Sequence, residues 1–144
     1  LVAGVIAAHL PLAEARRIDL GAMPTTGEAV VDGEEEALRI LISNLVSNAV
    51  RYTPHGGKVD VTVGAGAEGP FIDVCDTGPG IPAEERERVF DRFYRRAQND
   101  EAGSGLGLAI VRRIAERHRA SVVLDEAPLG GLRARVQFQR SVTP

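Results

Sequence analysis

The sequence predicts an α+β domain in two layers, with about three main helices on one face of a mixed, mostly antiparallel sheet. Three patterns lead there. Leu38, Leu41, Ile42, Leu45, Val46 and Ala49 recur at the i, i+3, i+4, i+7 spacing of a helix with one buried face. Val59, Val61 and Val63 alternate with Asp60 and Thr62, as a half-buried strand does. Leu132, Ala134, Val136 and Phe138 alternate with Arg133, Arg135, Gln137 and Gln139, which gives that strand one wet face, so helices cover the sheet on one side only.

The remaining elements follow in order. Residues 1–17 read as a linker helix interrupted at Gly4 and Pro11, both unfavourable inside a helix, and residues 18–144 as a single domain. Ile18–Met23 and Ala29–Asp32 are short strand candidates on either side of the turn-rich Pro24–Gly27. The long helix over Ala37–Tyr52 is stopped by Pro54, Gly56 and Gly57. Gly64–Gly69 reads as a glycine-rich hairpin loop leading into a strand over Phe71–Asp76, and Glu84–Phe90 as a short helix with acidic residues in its first turn. Residues 91–105 show no sustained period and read as a long mobile loop. Gly107, Ile110, Val111, Ile114, Ala115 and His118 mark the core face of another helix, followed by strands over Ser121–Glu126 and Leu132–Gln139.

At 144 residues the chain has room for one ordinary domain. A net charge of −3 carries no polyanion-binding signature, which argues against nucleic acid as a partner. No apolar run approaches the ~18–20 residues of a membrane span. The start at Leu1, without a methionine or a capping residue before the first helix, reads as a piece of a longer protein. Cys75 is the sole cysteine and, within an apolar run, reads as a small buried hydrophobe. His9 and His118 have no partner set around them and read as structural or surface residues.

Chemistry concentrates in four stretches. Asn44, Asn48 and the pair Arg51/Tyr52 form a stripe bordering the apolar face of the long helix. Carboxamide oxygens are hard donors suited to Mg²⁺, and a cation one turn on would meet phosphates; the plainer alternative is exposed helix polarity. Asp76 shares a strand face with Ile72 and Val74, so its carboxylate needs a donor. An exocyclic amine such as adenine N6 would serve, while a carboxylate capping its own Asp-Thr-Gly turn would serve equally. Gly78 and Gly80 let something flat approach the backbone. Arg92, Arg95 and Arg96 interleave with Phe90, Phe93 and Tyr94, so these arginines could reach terminal phosphates or form a solvated basic run. Gly103-Ser104-Gly105-Leu106-Gly107-Leu108 opens a helix, where free amides and the helix dipole favour phosphate. It is not a Walker A loop, because no Gly-Lys-Ser/Thr follows.

Taken in order, Asn44-x-x-x-Asn48-x-x-Arg51-Tyr52-Thr53-Pro54, Asp76-Thr77-Gly78-Pro79-Gly80-Ile81, Val89-Phe90-Asp91-Arg92-Phe93-Tyr94-Arg95 and Gly103-Ser104-Gly105-Leu106-Gly107-Leu108 resemble the N, G1, F and G2 boxes of sensor histidine kinases. The resemblance covers residues from about Arg39 to Arg113, in the family's order. It implies a Bergerat-type ATP-binding α/β sandwich, shared with gyrase, Hsp90 and MutL. It further implies that Asn48 ligates Mg²⁺, that Asn44 supports the metal or phosphates, and that Arg51 replaces the usual Lys near the phosphates. Tyr52 would line the nucleotide, Asp76 would bind adenine N6, and Gly78, Gly80 and Ile81 would form the adjacent wall. Gly103, Gly105 and Gly107 would free a lid whose amides, with Ser104, Leu106 and Leu108 among them, hold the phosphates near Arg95 and Arg96.

The same resemblance implies a cytoplasmic catalytic domain of a homodimeric inner-membrane sensor, monomeric in isolation. It would transfer the γ-phosphate of Mg-ATP to a histidine on its parent's dimerisation and phosphoacceptor domain, with a response regulator downstream. The phosphoacceptor pattern, His followed by Glu or Asp, is not matched by His9-Leu10-Pro11, so the substrate half lies elsewhere. Two departures stand out: Leu132 follows Gly131 where the family often has Thr, and Arg119 stands where glycine often closes the helix. Rival readings are a conformational-switch ATPase, which would need a carboxylate where Asn44 stands, and a nucleotide-binding module without transfer.

Overall fold

The alternating strands assemble into one five-stranded sheet, in the order β1-β2-β3-β5-β4. The computed structural model describes residues 1–23, 31, 33–91, 107–128 and 130–139. Its elements are α1 (Val2–Ala15), β1 (Asp19–Ala22), α2 (Glu35–Tyr52), β2 (Lys58–Gly66), β3 (Gly69–Asp76), two 3₁₀ turns (Ala83–Glu85 and Arg88–Phe90), α3 (Gly107–Arg117), β4 (Ser121–Glu126) and β5 (Leu132–Gln137). β1 pairs in parallel with β2, and the other pairings are antiparallel.

Register sorts the side chains by face. Val61, Val74, Ala134 and Leu124 lie across four strands in one row, and Val63, Ile72, Val136 and Val122 in the next. These rows meet the helices. From α2 come Leu38, Leu41, Ile42, Leu45, Val46, Ala49 and Val50, all buried, and from α3 Val111, Ile114 and Ala115. Full burial of each large aliphatic side chain contributes about 1.5–3 kcal/mol, so α2 is the main hydrophobic spine.

The opposite face is wet, as the alternation in β5 predicts. There Arg135 forks onto Asp73 at 2.6 and 2.7 Å, and Arg133 onto Asp125 at 2.8 and 2.7 Å. The Arg133 hydrogen bonds hold Asp125 below the usual carboxylate range. Arg135 also lies 4.3 Å above the Phe71 ring. Cys75 sits half-buried on this face, opposite Arg133, instead of in the core. Its partial burial and the neighbouring Asp73 push its thiol up to about 11, so it stays protonated and unreactive near neutrality.

Several expectations change. α1 runs through Pro11 without interruption, and Val5, Ile6 and Ala13 join the core, so packing on α2 overrides the local cost. Pro11 and Ala7 are exposed, which leaves the carbonyl that proline cannot bond open to water. The β2–β3 connection is the two-residue turn Ala67–Glu68, with Gly64 and Gly66 inside the strand. Gly64 belongs there because Phe71 crosses it: a Cβ would stand 2.8 Å from the ring. The helix expected over Glu84–Phe90 is two separate 3₁₀ turns, since so short a segment cannot offset the cost of nucleating an α-helix. Ile110 lies at the margin of the α3 face and is 38% exposed. The strand expected over Ala29–Asp32 falls largely outside the described residues, and Val31 is not in a strand. Of the loop expected over 91–105, only Asp91 is described.

Two helices end in the same way. Arg17 (φ 56°) and Arg119 (φ 55°) adopt left-handed backbone. Beside them, Ile18 N–H donates to Ala13 O and Ala120 N–H to Ala115 O, each at 2.8 Å, closing a Schellman turn. A side chain in that conformation costs ~1 kcal/mol that glycine avoids. Arg119→Gly is therefore expected to raise unfolding free energy by about 1 kcal/mol in urea titrations, with Arg119→Ala giving no such gain. Equal stability of the two variants would refute the strain at Arg119.

Candidate nucleotide site

α2 places the candidate residues along one edge, and two neighbouring elements meet it there. At the first, Gly107 opens α3 against the two asparagines. A Cβ on Gly107 would lie 3.2 Å from Asn48 Nδ2 and 3.3 Å from both Asn44 Oδ1 and Asn48 Oδ1, so both carboxamides meet the start of that helix. Asn44 Nδ2 donates to Ile40 O at 2.9 Å, which turns its oxygen away from its own helix backbone. The positive end of α3 thus meets two neutral carboxamides. Leu108 follows, half-buried.

At the second contact, the turn after β3 packs on the last turn of α2. Asp76 is 5% exposed. Its Oδ1 accepts from Gly78 N at 2.9 Å and from Leu132 N at 3.1 Å. The turn-capping alternative is therefore realised, and a second donor comes from β5. Gly78 has no room for a side chain, because a Cβ would stand 2.9 Å from Tyr52 O. Gly80 has φ +73° and faces Gly131. Gly131 presses on Asp76, whose backbone oxygen would overlap any Cβ there. Ile81 is buried, and Arg51 and Tyr52 lie half-buried in the last turn of α2.

The donor set fits a phosphate-bound Mg²⁺. Paired carboxamide oxygens beside helix amides offer hard neutral ligands without crowding the ion's waters and phosphate oxygens. Among the described residues, no three His, Cys, Asp or Glu side chains gather into a metal site of their own. Arg95, Arg96, Gly103, Ser104, Gly105 and Leu106 lie outside the described residues. Both histidines expected to be structural bridge elements. His9 joins Val5 O to Ser43 Oγ at 2.8 and 3.3 Å, and His118 joins Ile114 O to Glu34 N at 2.8 and 3.3 Å.

Sequence reasoning missed the Leu132 amide as a partner of Asp76, although the Gly130–Gly131 pair signals a close backbone approach. It also missed Arg16, which grips the end of α2 from α1.

Residues 33–142 match the family model described as histidine kinase-, DNA gyrase B- and HSP90-like ATPase. The chain belongs to that family. Its fold and sequence are those of the ATP-binding catalytic domain of sensor histidine kinases. The sensor histidine kinase RppB of Synechocystis sp. is 40% identical over 130 residues, covering 88% of this chain and 29% of RppB. The mycobacterial sensor histidine kinase MprB structure is 32% identical with a TM-score of 0.80, covering 97% of both chains. Full-length ShkA, solved with AMPPNP, is 28% identical with a TM-score of 0.79 and covers 99% of this chain and 30% of that one. The chain thus spans less than a third of RppB. Among the described residues, no helix is long and apolar enough to cross a membrane.

Proposed function

We propose that this domain, α1 included, binds Mg-ATP and transfers its γ-phosphate to a histidine on a separate helical domain of the parent protein. The observation that supports this best is the meeting of Asn44 and Asn48 of α2 with the start of α3, while buried Asp76 lies beside the C-terminal end of α2. Two ends of one helix edge then serve two ends of one nucleotide.

At the base end, Asp76 is held in place by two backbone N–H groups and accepts from the exocyclic amine of adenine. Gly78, Gly80 and Ile81 form the flat wall against the ring, and Tyr52 lines the nucleotide. At the phosphate end, Asn48 holds Mg²⁺, Asn44 supports the metal or phosphates, and Arg51 stands near the phosphates as the cation. Arg95, Arg96 and the amides from Gly103 to Leu108 complete the phosphate cradle. Bound there, Mg²⁺ offsets phosphate charge. The protein's own contribution is position, since phosphoryl transfer needs an in-line nucleophile more than covalent help. Neither residue meeting Gly107 is a carboxylate, so among the described residues no group there activates water, which favours transfer over hydrolysis.

The parent is read as a homodimeric inner-membrane sensor with this domain on the cytoplasmic side, acting on a response regulator. Support comes from relatives that are themselves sensor kinases. Titration calorimetry tests the nucleotide reading. ATP should bind, and GTP, which presents a carbonyl where adenine has its amine, should bind at least ~10-fold more weakly. Equal affinities would remove Asp76 from base recognition, and absence of ATP binding would overturn the function.

A further inference from the structure

We infer that Arg16 is a positioning residue through which α1 sets the geometry of the nucleotide wall; this rests on the nucleotide site proposed above. α1 and α3 close with left-handed residues that satisfy their last carbonyls locally. α2 does not: its cap residue Thr53 is extended (φ −89°, ψ 129°). Its terminal carbonyls are taken instead by Arg16, 34 to 37 residues earlier in the chain. Arg16 Nε donates to Val50 O at 3.1 Å, and Nη2 donates to Arg51 O at 3.0 Å and Thr53 O at 3.1 Å. A guanidinium at the negative end of a helix is favoured by the dipole, and its planar fork fits several carbonyls at once.

What Arg16 holds is the segment that meets the site. Tyr52 O and Thr53 Cα pack on Gly78, and Thr53 and Thr77 close over Gly57. Thr77 N donates to Lys58 O at 3.1 Å, and Lys58 N to Thr77 Oγ1 at 2.9 Å. From the other side, Gly56 N donates to Arg17 O and Asp19 N to Gly57 O, at 3.1 and 3.0 Å. The end of α1, the end of α2 and the Asp76–Gly78 turn are therefore one stitched unit. A shift of α1 reaches the adenine wall through it, so α1 can tune nucleotide affinity without touching nucleotide. Loosening the clamp leaves that wall to be ordered on binding, which weakens affinity.

The test uses the whole chain, Mg-ATP as probe, and three variants compared below their unfolding temperatures. Arg16→Ala should raise the Mg-ATP dissociation constant about fivefold, Arg16→Lys, which keeps the charge at the helix end without the fork, should recover only part of the loss, and Ile72→Val should leave affinity unchanged. Ile72 lies in the core in the middle of β3, so it controls for destabilisation alone. Amide exchange at Thr77 and Gly78 should accelerate in Arg16→Ala only. If Arg16→Ala does not fold, Arg16→Gln replaces it, keeping donors without charge. Wild-type affinity together with wild-type exchange at Thr77 and Gly78 in the Arg16 variant would overturn the inference. If the wild-type chain binds no nucleotide, the nucleotide reading fails separately, and exchange alone decides whether Arg16 holds that turn.

Discussion

Asp76→Asn is expected to lower ATP affinity by about 1–3 kcal/mol while leaving the fold intact, whereas Asp76→Ala is expected to lower both. The two substitutions separate the two tasks of this carboxylate. Oδ1 accepts from Gly78 and Leu132, and an asparagine oxygen can keep both bonds. What asparagine loses is the charge, and its N–H₂ can present a donor to the adenine amine. Alanine also strands two backbone donors at a buried position, which costs ~1–3 kcal/mol of stability. Calorimetry and urea unfolding on the same preparations read both quantities. Wild-type ATP affinity in Asp76→Asn would remove the base-recognition role, and wild-type stability in Asp76→Ala would contradict the anchoring role.

The legibility of the fold follows the range of the interactions. The long helix and the alternating strands are set by periodic burial, so α2, β2, β3, α3, β4 and β5 were readable within a few residues of their ends. Gly64 was misread because glycine signals a turn locally, and only Phe71 crossing from the partner strand reveals why a strand needs it. The segment over Glu84–Phe90 looks helical in composition, but its side chains serve other partners. Val89 and Phe90 go into the core, Arg86 donates to Ile81 O, and Arg112 of α3 covers the Phe90 ring and reaches Glu87.

Within the candidate site, the asparagine stripe and the Asp-Thr-Gly turn were legible because residue type and spacing are local. The meeting of Gly107 with both asparagines is a tertiary fact. So is the double acceptance by Asp76. Arg16 carried no local signal, because an arginine at the end of one helix looks solvated until the end of another arrives beside it. The departure at Arg119 is accommodated by left-handed backbone, and the departure at Leu132 leaves a backbone amide on Asp76.

The second large effect concerns transfer itself. Asn48→Ala should abolish phosphoryl transfer, since it removes one of the two carboxamides meeting the start of α3, the one that the proposed function gives to Mg²⁺. Binding of ADP without Mg²⁺ should change far less, because the base end is untouched. Self-phosphorylation is not expected from the chain alone, since none of its three histidines is followed by Glu or Asp and both ring nitrogens of His9 and of His118 already hold hydrogen bonds. The most direct measurement mixes the chain with the separate helical hairpin domain of its own parent and γ-labelled ATP. Acid-labile label should appear on the hairpin's histidine with the wild-type chain and be absent with Asn48→Ala, while the chain alone consumes little ATP. Rapid ATP turnover by the chain alone, or no labelling of the hairpin at any Mg²⁺ concentration, would contradict the phosphotransfer mechanism.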